Sequence, residues 1–174
     1  MTGCMQRPAP NAIVSKQARL QCLQQMQNWH AEGRVAIQDA TQYQTASFRW
    51  QQRDQQYEVY LYSPFSTQSV TIIGDATSRR VVAANGVPDS ELALDEHLPL
   101  TQLGYWAKGI PTPNSTPTAL KYDSHNQLQQ LQQDGWQIEY QKYQACDPVS
   151  LPEKLTLSDG TAKVKLFIKH LRRE

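Results

Sequence analysis

Cysteine, histidine and acidic residues are the side chains of this sequence that could bind a metal or act as nucleophile and base. The cysteines and histidines are Cys4, Cys22, Cys146, His30, His97, His125 and His170. They form no CxxC pair and follow no spacing typical of a metal site. Asp95 and Glu96 are adjacent in the chain, so local geometry does not aim their carboxylates at a common point. With no GxSxG, P-loop or HExxH motif either, we expect no catalytic residue, no metal and no cofactor.

Cys4 ends the tetrapeptide Met1-Thr2-Gly3-Cys4, in which small residues precede a cysteine. This pattern is typical of the end of a bacterial lipobox, whose cysteine becomes lipidated, and a chance cysteine in an ordinary N-terminus is the alternative. The next residues contain two prolines and no periodicity, as a tether does. We expect a tether over residues 1–14 and a single domain over residues 15–174. Cys22 and Cys146 either pair in an oxidising compartment or stay apart, and the sequence leaves both open.

The segment from Tyr62 to Thr67 connects two predicted strands and carries an apolar side chain where a polar one is usual. Pro64 suits a turn, and Phe65 follows it beyond the end of the strands. Phe65 either folds back onto the sheet or serves as an exposed apolar anchor for a membrane or a partner.

The elements that position these residues are mainly β-strands. Ser15 can cap a helix that runs to about Asn28, and from Trp29 onwards apolar and polar residues alternate with the period of strands. The middle of the chain holds two short helix candidates, residues 89–97 and 99–107, and strands then resume to the end. This order predicts a curved antiparallel sheet with helices covering its apolar face.

Length and charge limit the possible functions. The 174 residues suffice for one domain with a sizeable core. Lys and Arg number 17 against 16 Asp and Glu, a formal net charge of +1, so a strongly basic nucleic-acid binder is not expected. No apolar run approaches the ~18 residues of a membrane helix, so we expect a chain that does not span a membrane, although it could be anchored to one.

Several stretches of the chain, in their order and spacing, resemble the LolB family of outer-membrane lipoproteins. They are Trp29 with residues 33–37, Phe48-Arg49-Trp50, Pro64-Phe65, Leu98-Pro99-Leu100 with Leu103 and Trp106, Gly109-Ile110-Pro111, residues 131–140, Tyr143, Leu151-Pro152 and residues 164–168. The resemblance runs from about Gln27 to Lys169. The lipobox-like pattern at Cys4 agrees with it and favours LolB over the soluble sister carrier LolA.

The resemblance implies an incompletely closed antiparallel β-barrel whose short helices form a lid over an apolar cavity, next to an N-terminal helix. It implies a monomer, lipid-anchored through Cys4 in the periplasmic leaflet of the outer membrane. The partners would be a LolA-like periplasmic carrier, acylated lipoprotein cargo and the membrane, which the loop of Pro64, Phe65 and Ser66 would enter. No nucleic acid and no enzymatic reaction are expected.

The acyl chains of the cargo would lie against the apolar face of the strands, with two residues of the lid above them. The expected lining residues are Val35, Ile37, Phe48, Trp50, Val59, Leu61, Val70, Ile72, Trp136, Ile138, Leu166 and Ile168 from the strands, and Leu103 and Trp106 from the lid.

The chain departs from the family pattern at three places. Ser66 stands where the family usually has glycine, the stretch between Ala84 and Leu98 looks shorter, and His170-Leu171 replaces a frequent tryptophan. These departures concern the details of the lid and the loop.

Two alternatives remain at this point. One is a periplasmic, lipocalin-like module that binds a small apolar ligand without handing it on. The other is a scaffold domain in which the same apolar face is a dry core.

Overall fold

The computed structural model describes residues 14–86, 98–146 and 148–174. These residues form helices α1 (Lys16–Gln24) and α2 (Leu100–Trp106) and ten strands. The strands are β1 (Trp29–Gln38), β2 (Tyr43–Arg53), β3 (Gln56–Tyr62), β4 (Ser69–Gly74), β5 (Arg79–Asn85), β6 (Ala119–Tyr122), β7 (Leu128–Gln133), β8 (Trp136–Gln144), β9 (Leu151–Ser158) and β10 (Lys163–Arg173). The expected helix over residues 89–97 and the expected lipidation site Cys4 lie outside the described residues.

All ten strands form one antiparallel sheet in the order β5-β4-β3-β2-β1-β10-β9-β8-β7-β6. The first and last strands pair at its centre, where Val35 lies opposite Leu166. The outermost strands, β5 and β6, do not pair with each other, so the sheet stays open. Each half is a meander of neighbouring hairpins, as expected for antiparallel strands joined by short turns. The predicted mainly β, incompletely closed architecture is confirmed.

Helix α1 begins where the sequence predicts and ends earlier. The Ser15 hydroxyl accepts a hydrogen bond from the backbone N–H of Ala18 at 3.2 Å, which satisfies one of the free donors of the first turn. The helix stops at Gln24 instead of Asn28 because Asn28 is held by the sheet. Its carbonyl accepts from the N–H of Glu174 at 3.0 Å, and its side-chain oxygen accepts from the N–H of Asp54 at 3.1 Å.

Close packing where β1 pairs with β10 explains why a glycine, Gly33, lies in the middle of a central strand. A Cβ atom at this position would lie 2.9 Å from two ring carbons of Phe48 and would also overlap the Phe167 carbonyl. The pairing of β1 with β10 shifts by one residue between Glu32 and Gly33, so a bulge adds to the local bend. The missing side chain therefore lets the Phe48 ring approach the backbone of β1 closely.

Helix α2 lies on the apolar face of the sheet. Its Trp106 is fully buried, with its ring centroid 6.5 Å from that of Trp136 on β8. Gly104 faces Trp50 and Gln52 of β2, because a Cβ built there would lie 3.3 Å from the Gln52 side-chain oxygen. The short helix thus reaches both halves of the sheet. Neither of the two described helices has the length and apolarity needed to cross a membrane.

Candidate functional site

The structure places the fourteen expected lining residues on one side of the sheet. Eleven of them are buried, from Ile72, Ile138, Ile168 and Trp106 at 0% exposure to Ile37 at 6%. Leu61, Val70 and Trp136 are only partly buried and pack against the others. The register explains this convergence, since Trp50, Val59 and Ile72 lie in one row across β2, β3 and β4.

The less covered part of this apolar face lies at one end of the sheet. Leu61 and Val70 are direct cross-strand partners, and the next pair, Tyr62 with Ser69, closes the ladder of β3 and β4. The loop that carries Phe65 follows immediately. The partly exposed apolar pair and the loop therefore share the same edge of the sheet.

The loop between β3 and β4 is a short, internally bonded turn. The N–H of Ser63 donates to the carbonyl of Gln68 at 3.1 Å, which closes the loop at its base. The Ser66 hydroxyl accepts from the N–H of Gln68 at 3.2 Å, so the serine side chain stabilises the turn. Phe65 is 96% exposed. The Phe65 side chain therefore does not fold back onto the sheet.

A buried glutamine fixes the lid helix, and the sequence pattern did not single it out. The side-chain oxygen of Gln133 accepts from Trp106 Nε1 at 3.1 Å and from the N–H of Thr112 at 2.8 Å. Its amide donates to the carbonyls of Thr112 at 3.0 Å and Ser115 at 2.8 Å. All four hydrogen bonds of the amide are made. The available signal was its period-two register with Leu131, which predicts an inward side chain for a polar residue.

Tyrosine and lysine side chains complete the attachment of the lid. The Tyr140 hydroxyl donates to the Trp106 carbonyl at 2.9 Å, and burial raises the pKa of Tyr140 well above its usual value. Lys108, just after α2, donates to the carbonyls of Leu23 at 3.3 Å and Met26 at 3.0 Å, at the C-terminal end of α1. Burial lowers the pKa of Lys108 to about 8 because the charged ammonium is desolvated.

Arg19 attaches α1 to the far half of the sheet. Its guanidinium donates to the Ser150 carbonyl at 2.6 Å and lies 5.4 Å from the ring centroid of Tyr143. Desolvation by burial lowers the pKa of Arg19 below its ordinary value. Cys22 on the same helix and Cys146 are both partly buried.

Ligands for a metal do not gather in the described part of the chain, where no three residues among histidine, cysteine, aspartate and glutamate lie close enough to hold an ion. The side chains that converge are instead apolar, and the polar side chains nearby form hydrogen bonds that attach the lid helix. Such an arrangement can bind an apolar chain by burial, at about 25 cal/mol per Å² of apolar surface removed from water.

Comparison with known proteins gives a consistent result. The family model described as "Outer membrane lipoprotein LolB" matches residues 27–170. The chain is 29% identical over 182 residues to the outer-membrane lipoprotein LolB of Nitrosococcus oceani, covering 98% of this chain and 90% of that protein. It is 30% identical over 184 residues to LolB of Coxiella burnetii, covering 98% and 87% of the two chains.

A solved structure supports the fold independently. A LolA superfamily protein from Nitrosomonas europaea superposes with a TM-score of 0.57 over 92% of this chain and 94% of its own, at 9% sequence identity. At that identity the likeness concerns the architecture alone.

Proposed function

The chain belongs to the family of the outer membrane lipoprotein LolB, and from this premise we propose how its described residues perform the work of such a protein. The chain is an outer-membrane lipoprotein receptor of the lipoprotein localisation machinery. It accepts acylated lipoproteins from a LolA-like periplasmic carrier and passes them to the outer membrane. In this proposal Cys4 carries the lipid anchor and residues 5–14 form the tether.

The observation that carries the mechanism is the position of Leu61 and Val70. This cross-strand pair belongs to the partly open part of a largely buried apolar face, and it adjoins the loop of Phe65. We assign the pair as the entrance through which acyl chains reach the lining residues under α2. Phe65 then marks the side from which the cargo leaves for the bilayer.

Energetics explain why a carrier must deliver the cargo. Three acyl chains contain roughly 45 methylenes, and at ~0.8 kcal/mol for each their transfer from membrane to water costs about 35 kcal/mol. Non-covalent affinities saturate near ~20 kcal/mol. A binding protein alone therefore does not extract such cargo from a bilayer. It can receive cargo from a weaker binder and release it into lipid, with both steps downhill and no enzymatic reaction of its own.

Lid rigidity limits how the cavity can form. Trp106 is bound to Gln133 through its indole N–H and to Tyr140 through its carbonyl, so α2 is held against β7 and β8. We propose that acyl chains enter between the free side of α2 and strands β2 to β4, where Gly104 lies against Trp50 and Gln52 with no side chain of its own. The half of the sheet that contains Gln133 stays packed.

A transfer assay tests this function. A LolA-like carrier loaded with an acylated lipoprotein is mixed with the chain, and the cargo bound to each protein is measured after separation. Leu61→Glu should reduce transfer about tenfold because a carboxylate at the entrance must be desolvated as the chains pass. Leu120→Glu on β6 is the matched control, since Leu120 is 43% exposed on the far edge strand.

Two outcomes would contradict the proposal. If the Leu61→Glu variant is shown by circular dichroism to be folded and still accepts cargo as fast as the wild type, the entrance is elsewhere. If the wild type accepts no cargo from any loaded carrier, the receptor function itself is wrong. Leu61→Trp provides a second variant that blocks the entrance without adding a charge.

A further inference from the structure

A cluster of cations lies on the outer face of the central strands, on the opposite side of the sheet from the apolar interior. Its members are Arg34 on β1, Lys154 on β9, and Lys163 and Lys165 on β10, and all four are exposed. The register brings them onto one face of the sheet. Phe167 lies opposite both Arg34 and Lys154 in the two strand pairs it joins, and Lys165 and Lys163 come two and four positions before it on β10. We call these four residues the cationic face.

The charges of the cationic face are not neutralised within the described residues. None of its four side chains forms a salt bridge or a side-chain hydrogen bond there. Asp39 and Asp159 lie in turns at its margin, and each accepts hydrogen bonds from the N–H groups of its own turn. Glu32, the acidic residue of β1, lies opposite Arg49 on β2. The chain as a whole has a formal charge of only +1, so this concentration of positive charge is local.

The cationic face is continuous with the loop of Phe65. A surface hollow of about 330 Å³ is lined by Pro64 and Phe65 of the loop together with Arg34, Lys154 and Lys165. Phe167, which is 42% exposed, lies in the same hollow. An exposed apolar tip and unpaired cations therefore border one cavity at one end of the sheet.

We propose that the cationic face binds the phosphate headgroups of anionic phospholipids while Phe65 enters the bilayer. A bilayer of anionic lipids has an apolar interior beneath a negatively charged headgroup layer. The hollow matches both layers, because Phe65 can enter the interior while the lysines and the arginine stay at the level of the headgroups. Each Lys or Arg near an anionic bilayer contributes about 1 kcal/mol to binding. Lys163 and Lys165 are two positions apart on β10, about 7 Å, which lets both reach headgroups in the same plane.

This inference rests on the proposed contact of Phe65 with the membrane and adds an orientation to it. Headgroups bound at β1, β9 and β10 would hold the sheet end against the bilayer. The entrance pair Leu61 and Val70 would then lie at the lipid surface, which shortens the path of the acyl chains through water. An acidic surface on the carrier could use the same cations, but it would leave the 96% exposed Phe65 beside them without an apolar partner.

Vesicle binding tests the proposal with the full chain carrying Cys4→Ser, so that no lipid anchor contributes. The probes are vesicles of phosphatidylcholine alone and of equal parts phosphatidylcholine and phosphatidylglycerol, separated by flotation. The variant is Lys154→Gln with Lys165→Gln. Its control is Lys121→Gln with Arg53→Gln, which removes the same charge from exposed positions on the edge strand β6 and at the other end of β2.

We expect the Lys154→Gln, Lys165→Gln variant to bind the anionic vesicles about thirtyfold more weakly, and the control to change by less than about twofold. Wild-type binding to these vesicles should fall as salt is added. Phe65→Ser, which changes no charge, should weaken binding to both kinds of vesicle.

The outcomes separate the two ideas. Equal wild-type binding to neutral and anionic vesicles, or equal effects of variant and control, would overturn the role of the cationic face. If the Phe65→Ser variant binds both kinds of vesicle as strongly as the wild type, the proposed contact of the loop with the membrane is wrong. If the lysine variant binds vesicles normally but accepts cargo poorly from the carrier, the face binds the carrier and the headgroup proposal is wrong.

Discussion

Gln133 shows how one polar side chain can set the position of a lid. It is 1% exposed and satisfies two donors and two acceptors in α2 and the segment after it. A buried polar group that loses its partner costs more than the bond itself contributes. The amide is therefore both the attachment of the lid and a point of vulnerability.

Replacing Gln133 with leucine should lower the free energy of unfolding by about 3 kcal/mol, because Trp106 Nε1 and the Thr112 N–H lose their acceptor inside the protein. Urea denaturation followed by tryptophan fluorescence measures the change. Gln132→Leu is the matched control, since Gln132 is the exposed neighbour on the same strand and should change stability by less than about 0.5 kcal/mol. Equal effects at the two positions would show that the amide hydrogen bonds do not hold the lid.

At the scale of elements, the strands were the most predictable part of the molecule. Alternation from Trp29 onwards identified β1 with its observed bounds and placed Val35 and Ile37 inward, because a half-buried strand imposes its own period on the sequence. The N-cap of α1 was equally visible in Ser15, since capping is local.

Other features depended on contacts between distant segments and left no local signal. The early end of α1 arises from hydrogen bonds of Asn28 to Asp54 and Glu174, which are far away in the chain. The four bonds of Gln133 likewise join residues separated by about twenty positions. The order of the sheet, with β1 and β10 paired at its centre, was not predicted, because strand pairing depends on contacts between segments far apart in the chain.

Lys108 links two elements, since it follows α2 and donates to carbonyls at the end of α1. Its pKa is lowered to about 8 in the folded state from 10.5. Between these values the unfolded chain binds more protons than the folded one, so stability should rise with pH in this window. The expected gain from pH 8 to 9.5 is about 1.5 kcal/mol.

Denaturation of the wild type and of Lys108→Met at both pH values measures this gain. The slope of the free energy of unfolding against pH is compared between the two proteins. The difference between the slopes gives the contribution of Lys108, because the other groups that titrate in this window are common to both proteins. Lys121→Met on β6 is the control for a lost lysine and should keep the wild-type slope. A Lys108→Met variant with that same slope would show that the ammonium is not desolvated in the folded protein.

At the scale of the whole molecule, the features proposed to act in cargo delivery lie at one end of the sheet. The partly open apolar pair Leu61 and Val70, the exposed Phe65 and the cationic face all lie there. The opposite end holds the closing turns near Asn28 and Asp54, which are bonded to each other. This polarity favours a molecule that stands on the membrane by one end and receives cargo at or near that end.

Phe65→Glu tests this arrangement in the complete transfer reaction. Because Phe65 is 96% exposed, the substitution should change the free energy of unfolding by less than about 0.5 kcal/mol. Acceptance of cargo from the carrier should also persist, since the entrance pair is untouched. Insertion of the cargo into vesicles should fail, because a carboxylate at the tip resists entry into the bilayer where a phenylalanine gains about 2 kcal/mol from burial. Cargo recovered with floated vesicles, compared with cargo retained on the protein, measures the step.

Two further variants make the result specific to the loop. Phe65→Leu keeps an apolar tip and should deliver cargo nearly as well as the wild type. Val82→Glu places the same charge on β5 at a side chain that is 46% exposed, and it should leave delivery unchanged. If Phe65→Glu delivers cargo as well as Val82→Glu does, the loop is not the point of membrane contact. If it lowers the melting temperature by several degrees instead, Phe65 packs onto the protein in solution and its role is structural.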